Sequence, residues 1–584
     1  MYRKLFLTLM SDTHIITVNR RLALHLQSYN TGTLKHTIHT LEEWVLELWS
    51  RYTPSQRVLS EAEEYYLWQE VIHESLDDYP LLQVASTAAL AQRAWRHLKL
   101  WLHSPAELEP NTKLEAQQFV TWAQHFEQIC SERHCLSELE LPSQLLELQH
   151  EQTLELPKQL VLVGFDELPP LYRDFFKRLK LHLSELETQR ESNSIQRIAL
   201  TNTHEEIYWM ARWAKSYLIQ NPEAKIACIV PELSILRNKV QSVFGEIFDN
   251  ETQAFSISVG LPLAQYGLIK TWLKILHLEA NNNELELISE ILTSSYLNHE
   301  LNNDLMAAEA DLMLREHNHT HSVSLALLNT NLSHLKNDYP NTDLIPRWQN
   351  LQTQIAQRPQ HALASQWAGY FKNEILALSN SPLLDQEEFE LALEWEKLLA
   401  NFIQFDAISG SMNYKKALEL LYHLANKHLF QPKKTPTRLQ ILGVLEASGL
   451  NFDAIWIMGL NDRNWPPAAK PNPFIPFHQQ RAWEMPHAST ERELNYCLKI
   501  QERLLKSADH IILSYAEEDK QLTQEPSGLI KDFPLISKEQ LTELFKIENY
   551  FSKAQKIFLA RQHEFIEDSQ ADPVSSNEII QGGS

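Results

Sequence analysis

The pattern of apolar and polar positions divides the chain into long helical regions and a few short apolar runs. Apolar residues recur every three or four positions through residues 38–150 and again from about 265 to 430, which predicts two helical regions. Short runs typical of strands buried on both faces of a sheet occur at 14–18, 160–163, 226–230, 439–445, 454–458 and 510–515. We therefore predict an α/β fold, predominantly helical, with parallel sheets.

Residues 439–494 combine several of these signals. Two of the apolar runs flank Gly449, and the second run ends in Gly459-Leu460-Asn461-Asp462, where the chain leaves the predicted sheet edge. Open α/β sheets place their ligand crevice at that edge. A segment with six prolines between 466 and 486 follows, and because proline fixes φ and lacks a donor we expect a stiff, irregular loop there. Ser489-Thr490-Glu491 then predicts the start of a helix.

Charge and composition narrow the possible partners. The net charge of −23 argues against a protein that wraps nucleic acid over most of its surface, but it allows a local basic channel. Ordinary solvated surface charge is the alternative for each cluster. Glycine, with 13 residues, leaves few positions for loops that cradle phosphates. The candidate basic clusters are Lys433 and Lys434 with Arg438, Arg173 with Lys177, Arg178 and Lys180, and Arg20 with Arg21.

The cysteine and hydropathy patterns indicate the cellular compartment of the protein. The four cysteines have neither metal-site spacing nor a disulfide framework, and Cys228 lies in an apolar run that predicts a core position. The alternating His317, His319 and His321 favour a solvated loop over a metal site. No apolar run approaches the 18 or so residues of a membrane span, and the first residues have too short an apolar core for a signal peptide. We expect a cytoplasmic protein without a membrane partner.

No phosphate-binding loop follows the first predicted strand. The first strand is followed by Asn19-Arg20 and a helical pattern, and no Gly-Lys pair occurs anywhere in the 584 residues. Asn19 and Arg20 are read either as a remnant phosphate or DNA contact or as a helix N-cap with a surface base. Asp166 and Glu167 follow another strand, where carboxylates can bind Mg²⁺. Without a nucleotide to serve, we predict that they cap the next helix.

The block 439–494 resembles the end of the second motor domain of UvrD-like superfamily 1 helicases. It resembles still more closely the helicase-like half of AddB-type helicase–nuclease subunits, in a proteobacterial branch of probable DNA repair proteins. Active helicases carry Lys-Gly-Leu-Glu-Phe, whereas this chain has Ser448-Gly449-Leu450-Asn451-Phe452. The Thr-Arg-Ala triplet of the following helix corresponds to Ile500-Gln501-Glu502, while Arg492 is kept from the earlier half of that motif. The resemblance implies a retained architecture with eroded ATP chemistry.

The resemblance also implies a domain plan. It predicts two RecA-like (P-loop NTPase-like) parallel-sheet domains, at 1–200 and 201–530, with helical insertions at about 38–150 and 265–430. Residues 531–584 would form a helical linker and a disordered tail leading to a nuclease domain absent from this chain. The family's magnesium and iron–sulfur cluster belong to that nuclease domain, so no cofactor is expected in this chain. The implied partners are DNA, as single strands or duplex ends, and an AddA-like helicase motor subunit.

The expected function is that of an inactivated helicase-like subunit or fragment. It would bind DNA and a partner in double-strand-break end processing and recombinational repair, with no catalytic residue of its own. Two alternatives are an active ATP-dependent helicase with an unusual site and a pure protein-interaction scaffold. The stiff loop after Trp465 would touch DNA or the nuclease domain, and Trp465 itself would either stack on a base or lie buried beneath that loop. The predicted remnants of the nucleotide pocket are Asn19, Arg20, Asp166, Glu167 and Arg492, and the predicted DNA contacts are Lys433, Lys434, Arg438 and Trp465.

Overall fold

The computed structural model describes residues 13–30, 36–52, 56–75, 83–109, 114–151, 154–186, 192–249, 254–258, 260–297, 300–317, 322–379, 385–431, 437–519 and 522–546. Lys433, Lys434, His319, His321 and the predicted C-terminal tail lie outside the described residues. Within these ranges the chain forms two separate parallel sheets and one large helical body, which confirms the α/β class.

The first sheet has four parallel strands within the described ranges. Its strands are Thr13–Thr17 (β1), Thr37–Thr40 (β2), Gln159–Val163 (β3) and His182–Leu186 (β4), in the spatial order β2-β1-β3-β4. Ile15 of β1 aligns with Ile38 and with Val161 on its two sides. The helix Arg20–Gln27 covers one face, and the other face packs against the helices Leu41–Tyr52, Leu141–Glu151 and Pro170–Arg178. We call this unit the first lobe.

The second sheet is larger and defines the second lobe. Seven of its described strands are parallel in the order β12-β5-β10-β9-β6-β8-β7, and β11 pairs antiparallel with the end of β10. These strands are Ser194–Asn202 (β5), Ile226–Ile229 (β6), Phe255–Ile257 (β7), Leu439–Leu442 (β8), Phe452–Ile457 (β9), Ala508–Asp519 (β10), Leu522–Thr523 (β11) and Leu535–Ile536 (β12). The helices Thr203–Gln220, Leu233–Ile247, Thr490–Leu505 and Lys538–Leu544 flank the sheet. The predicted domain boundary near residue 200 falls inside β5, so this sheet begins before it.

The helical body is built from two parts of the chain. The first part contains Glu61–Glu74, Val84–Leu100, Leu114–Glu132 and the short 3₁₀ helices Pro105–Glu107 and Glu138–Glu140. The second part contains Leu263–Gln265 (3₁₀), Gly267–Leu276, Leu285–Leu292, Leu301–His317, Leu325–His334, Leu335–Asn337 (3₁₀), Leu344–Ala356, Ala364–Leu378, Gln386–Ile403, Asp406–Ser409 and Tyr414–Lys427. Short strand pairs join Arg57–Leu59 to Cys135–Ser137, Leu261–Pro262 to Leu429–Phe430, and Asn283–Glu284 to Ser322–Val323.

The prediction of continuous helix over 38–150 is wrong at the start of that range and at two short strands within it. Thr37–Thr40 is strand β2, and Leu41–Tyr52 packs on the first sheet through Trp44 instead of joining the helical body. Two short strands, Arg57–Leu59 and Cys135–Ser137, also interrupt the range. The helical periodicity was correct, but periodicity cannot tell which neighbour receives an apolar face.

The two helical regions share one hydrophobic core. Tyr65 stacks on His423 with ring centroids 4.4 Å apart, and Tyr66 meets Phe405 edge-on at 5.7 Å. The proline-rich loop joins the same core, where Phe474 stacks on Phe119 with centroids 5.8 Å apart. The aromatic residues of these helices therefore serve packing. None of the helices in the described ranges is both long enough and apolar enough to cross a bilayer.

Candidate functional site

The connection between β1 and the helix Arg20–Gln27 consists of only Val18 and Asn19. The Val18 N–H donates to the carbonyl of Val163 at 3.2 Å, which holds the turn against β3. Asn19 is the helix N-cap, and its Oδ1 accepts a hydrogen bond from the N–H of Leu22 at 2.8 Å. A two-residue turn is too short to wrap a row of backbone N–H groups around a phosphate.

Leu22 occupies the place where the two lobes meet. Its side chain is fully buried against Gly164, which follows β3, and Gly449, which precedes β9. Both glycines have positive φ, +83° and +73°, and an added Cβ would lie 2.8 Å and 2.7 Å from Leu22 Cδ2, respectively. The backbone of the two lobes therefore approaches closely, with a leucine side chain between them.

This contact, which we call the seam, is apolar at its centre and polar around it. Leu22 and Val163 from the first lobe belong to the same hydrophobic cluster as Leu442 and Ile457 from the second. Asn19 Nδ2 donates to the carbonyl of Leu445 at 2.9 Å. Arg21 Nη2 donates to Gln440 Oε1 at 2.9 Å. Asn19 thus caps a helix and also ties the lobes together.

Two arginines of the helix Thr490–Leu505 complete the seam. Arg503 forms a bidentate ion pair with Asp166, in which Nε lies 2.5 Å from Oδ1 and Nη2 lies 3.1 Å from Oδ2. Arg492 forms an ion pair with Glu167, and its Nε donates to the carbonyl of Glu484 at 3.0 Å. The arginines are eleven residues apart, about three helical turns, so they leave the same face of the helix.

The prediction that Asp166 and Glu167 cap the next helix is wrong. The helix Pro170–Arg178 has Pro169 at its N-cap position, without a side-chain capping bond, and both carboxylates point to guanidinium groups instead. A magnesium ion needs carboxylate oxygens that are not already neutralised, so this pair does not fit a metal site. No group of three or more His, Cys, Asp or Glu side chains in the described part of the chain is arranged to hold a metal.

Tyr496 is a partly buried residue beside the two ion pairs of the seam. It lies on the same helix between the two arginines, and Arg492 sits over its ring at 5.8 Å. Burial raises the pKa of Tyr496 to about 12, and the nearby Asp166 carboxylate adds to that shift. Ion pairs in such surroundings are screened less by water than pairs on the surface.

No protein-family model matches this chain, and no curated protein matches it significantly.

Of the predicted DNA contacts, Trp465 is buried and Arg438 is exposed. Trp465 is only 5% exposed, and its indole Nε1 donates to Gln501 Oε1 at 3.1 Å, so it offers no face for base stacking. The proline-rich loop that follows packs on the helical body, where Asn472 Nδ2 donates to the carbonyl of Leu90 at 3.0 Å. The buried part of this loop contacts the protein itself, and contact of the loop with DNA or a nuclease domain stays a prediction. Arg438 is exposed and pairs with Glu223 at 2.8 Å.

Arg438 and Arg20 meet at a cavity of about 1030 Å³, which we call the basic cleft. Its walls are the helix Arg20–Gln27 and the amino ends of β6, β8 and β9. The charged and titratable side chains that line it are Arg20, Arg21, His25, Tyr29, Lys225, Arg438 and Glu446. Burial lowers the pKa of His25, and the neighbouring Lys225 and Arg21 lower it further, as expected in positive surroundings.

Sequence reasoning missed two residues of the second lobe. Arg503 lies one position beyond the triplet aligned with the helicase motif, and its eleven-residue spacing from Arg492 was the available signal. Glu206 is buried beside the carboxyl end of β9 and the middle of β10, where it accepts hydrogen bonds from Gly459 N–H at 2.8 Å and Ser514 Oγ–H at 2.6 Å. Burial raises the pKa of Glu206 to about 7.

Proposed function

We propose that this chain is a non-hydrolysing, helicase-like subunit that binds DNA and a motor partner during the processing of double-strand ends. The observation that carries the proposal is the seam. At the position where a motor of this kind would hold a triphosphate, the chain places Leu22 against Gly164 and Gly449. Arg503 and Arg492, on the helix that would face the nucleotide, are bound to protein carboxylates.

The architecture supports the same proposal. Each lobe has a parallel sheet, and the chain between strands of each sheet makes a long excursion into the helical body. That arrangement is what two RecA-like lobes with helical insertions would have, and it agrees with the residues at 439–494 that resemble AddB-type subunits. A motor needs lobes that open and close around a nucleotide. The continuous apolar core across the seam opposes such motion.

Binding of DNA is the second part of the proposal. The chain carries 75 acidic and 52 basic residues, so a surface region that is mainly basic calls for an explanation. The basic cleft is such a region, and it lies between the two lobes. Electrostatic contact with phosphates is the main source of affinity for proteins that bind DNA without reading its sequence.

Two assays test the proposal. We expect ATP turnover no greater than that of a mock preparation, with or without single-stranded DNA, and turnover clearly above that level would refute the silent-motor assignment. We also expect binding to single-stranded or forked DNA that weakens steeply as salt rises. A pure protein-interaction scaffold predicts no such binding, so its absence would favour that function instead.

A further inference from the structure

We propose that the basic cleft binds the phosphate backbone of single-stranded nucleic acid. This inference rests on the proposed function and names the site through which its DNA binding would act. It uses the described residues of the cleft alone: the helix Arg20–Gln27 on one side, and the residues that precede or begin β6, β8 and β9 on the other.

Charge is the first argument. Four permanent cations line the cleft, Arg20, Arg21, Lys225 and Arg438, against the single carboxylate of Glu446. The chain as a whole has a net charge of −23, so this excess of cations runs against the composition. Cations gathered in a concave surface raise the local concentration of an anionic ligand.

The existing partners of these cations leave room for a phosphate. Arg20 forms no ion pair with any residue in the described ranges, and Arg21 is held by the neutral amide of Gln440. Arg438 pairs with Glu223, whose side chain is 90% exposed, and such surface pairs contribute little. A phosphate can therefore replace the Glu223 carboxylate without a large loss.

The remaining lining favours a nucleic acid over a free phosphate. Asn451 lines the cleft with a partly buried side chain, and an amide can recognise the polar edge of a base. Tyr29 also lines the cleft, with its ring 5.1 Å from that of His25. Basic grooves with aromatic side chains are typical of sites that bind single strands, because exposed bases stack on the rings.

Charge reversal tests the site. The cleft variant is Arg20→Glu with Lys225→Glu and Arg438→Glu. A matched control reverses three exposed lysines that do not line the cleft, Lys336→Glu with Lys415→Glu and Lys531→Glu. Both variants change the net charge by the same amount, so any difference between them reports on position.

Binding of a labelled oligothymidylate is followed by fluorescence anisotropy between about 50 and 200 mM salt, with circular dichroism to check folding. We expect the cleft variant to bind at least about tenfold more weakly than the control variant and its salt slope to fall by about 2, because three single-strand phosphate contacts are lost. Equal affinities and slopes for the two variants would overturn the inference while leaving the proposed function standing. A wild-type chain without salt-dependent binding would overturn both.

A measurement on the unaltered chain guards against misfolded variants. Oligonucleotides that carry 4-thiothymidine or 4-thiouridine are photo-crosslinked to the wild-type protein, and the attached peptides are identified by mass spectrometry. We expect crosslinks on the peptide that contains His25 and Tyr29. Crosslinks found only on peptides outside the cleft would overturn the inference. The two nucleosides distinguish DNA from RNA as the preferred strand.

Discussion

Arg503 and Asp166 are 337 residues apart in the sequence and form a two-pronged ion pair across the seam. Their side chains are 15% and 7% exposed, so water screens the pair weakly. The pair binds the helix Thr490–Leu505 of the second lobe to the end of β3 in the first. It also leaves both carboxylate oxygens of Asp166 bound to the Arg503 guanidinium.

Removal of either partner should destabilise the protein substantially. Asp166→Ala or Arg503→Ala leaves one buried charge without its counterpart, and we expect a loss of about 3 kcal/mol in the free energy of unfolding. Urea titration followed by circular dichroism measures it. The exposed pair of Glu502 with Lys506, at the end of the same helix, is the control, and Glu502→Ala should leave the free energy of unfolding nearly unchanged. Similar small losses in both cases would show that the seam pair contributes little.

The close approach of the lobes at Gly449 predicts a second stability effect. In Gly449→Ala the new Cβ would lie 2.7 Å from buried Leu22 in a backbone conformation with φ of +73°. Gly459→Ala is the matched control, because φ is also +73° there but no atom lies within 4 Å of the new Cβ. We expect about 1 kcal/mol of loss at Gly459 from backbone strain and about 3 kcal/mol at Gly449, where overpacking is added. Equal losses would mean that Leu22 and its neighbours can move to accommodate a methyl group at Gly449.

Several strands could be predicted from the sequence, but the contacts between distant segments could not. The runs that became β3, β6 and β9 were predictable because strands buried on both faces are continuously apolar. The absence of a phosphate loop was also readable, since every glycine could be inspected. The pairing of Arg503 with Asp166 could not be predicted, because nothing local in either segment specifies a partner 337 residues away.

The sequence also did not reveal which neighbours bury particular aromatic residues. Trp465 stands beside prolines in a polar segment, where an exposed stacking role was a reasonable alternative. The structure places Gln501, 36 residues later, within hydrogen-bonding distance of its indole N–H. Similarly, Leu41–Tyr52 has the same amphipathic pattern as the helices that follow, yet its apolar face covers the first sheet. In both cases the neighbour was decided by tertiary packing.

Glu206 predicts a dependence of stability on pH. Its pKa is raised from 4.5 to about 7 in the folded protein, so the folded state holds a proton that the unfolded state releases. The contribution is fully present below about pH 4.5 and is lost as the pH rises through about 7, with a total of about 3 kcal/mol. In Glu206→Gln this loss should disappear, which unfolding titrations between about pH 5 and 8 would reveal.

Ser514 provides the control for that titration. Its hydroxyl donates to the Glu206 carboxylate and favours the charged form. In Ser514→Ala the pKa of Glu206 should rise further, so the loss of stability should continue to a higher pH than in the wild type. A wild-type protein and a Glu206→Gln variant with parallel pH profiles would contradict the assignment.

Trp465 should matter for stability and not for DNA binding. In Trp465→Phe the aromatic ring is kept, but Gln501 Oε1 loses its donor, and we expect a loss of about 1 to 2 kcal/mol in the free energy of unfolding. The affinity for oligothymidylate, measured by anisotropy well below the unfolding transition, should remain that of the wild type. If the variant bound oligothymidylate more weakly but were as stable as the wild type, Trp465 would be a DNA contact.

The central claim is that the seam leaves no place for a nucleotide beside the turn after β1, where Leu22 fills the space between Gly164 and Gly449. Isothermal titration of the protein with ATP and Mg²⁺ tests it most directly. We predict no saturable heat of binding, because the turn after β1 has no phosphate loop and Arg492 and Arg503 are held by carboxylates. One-to-one binding of ATP that is lost in Arg492→Ala would contradict the account.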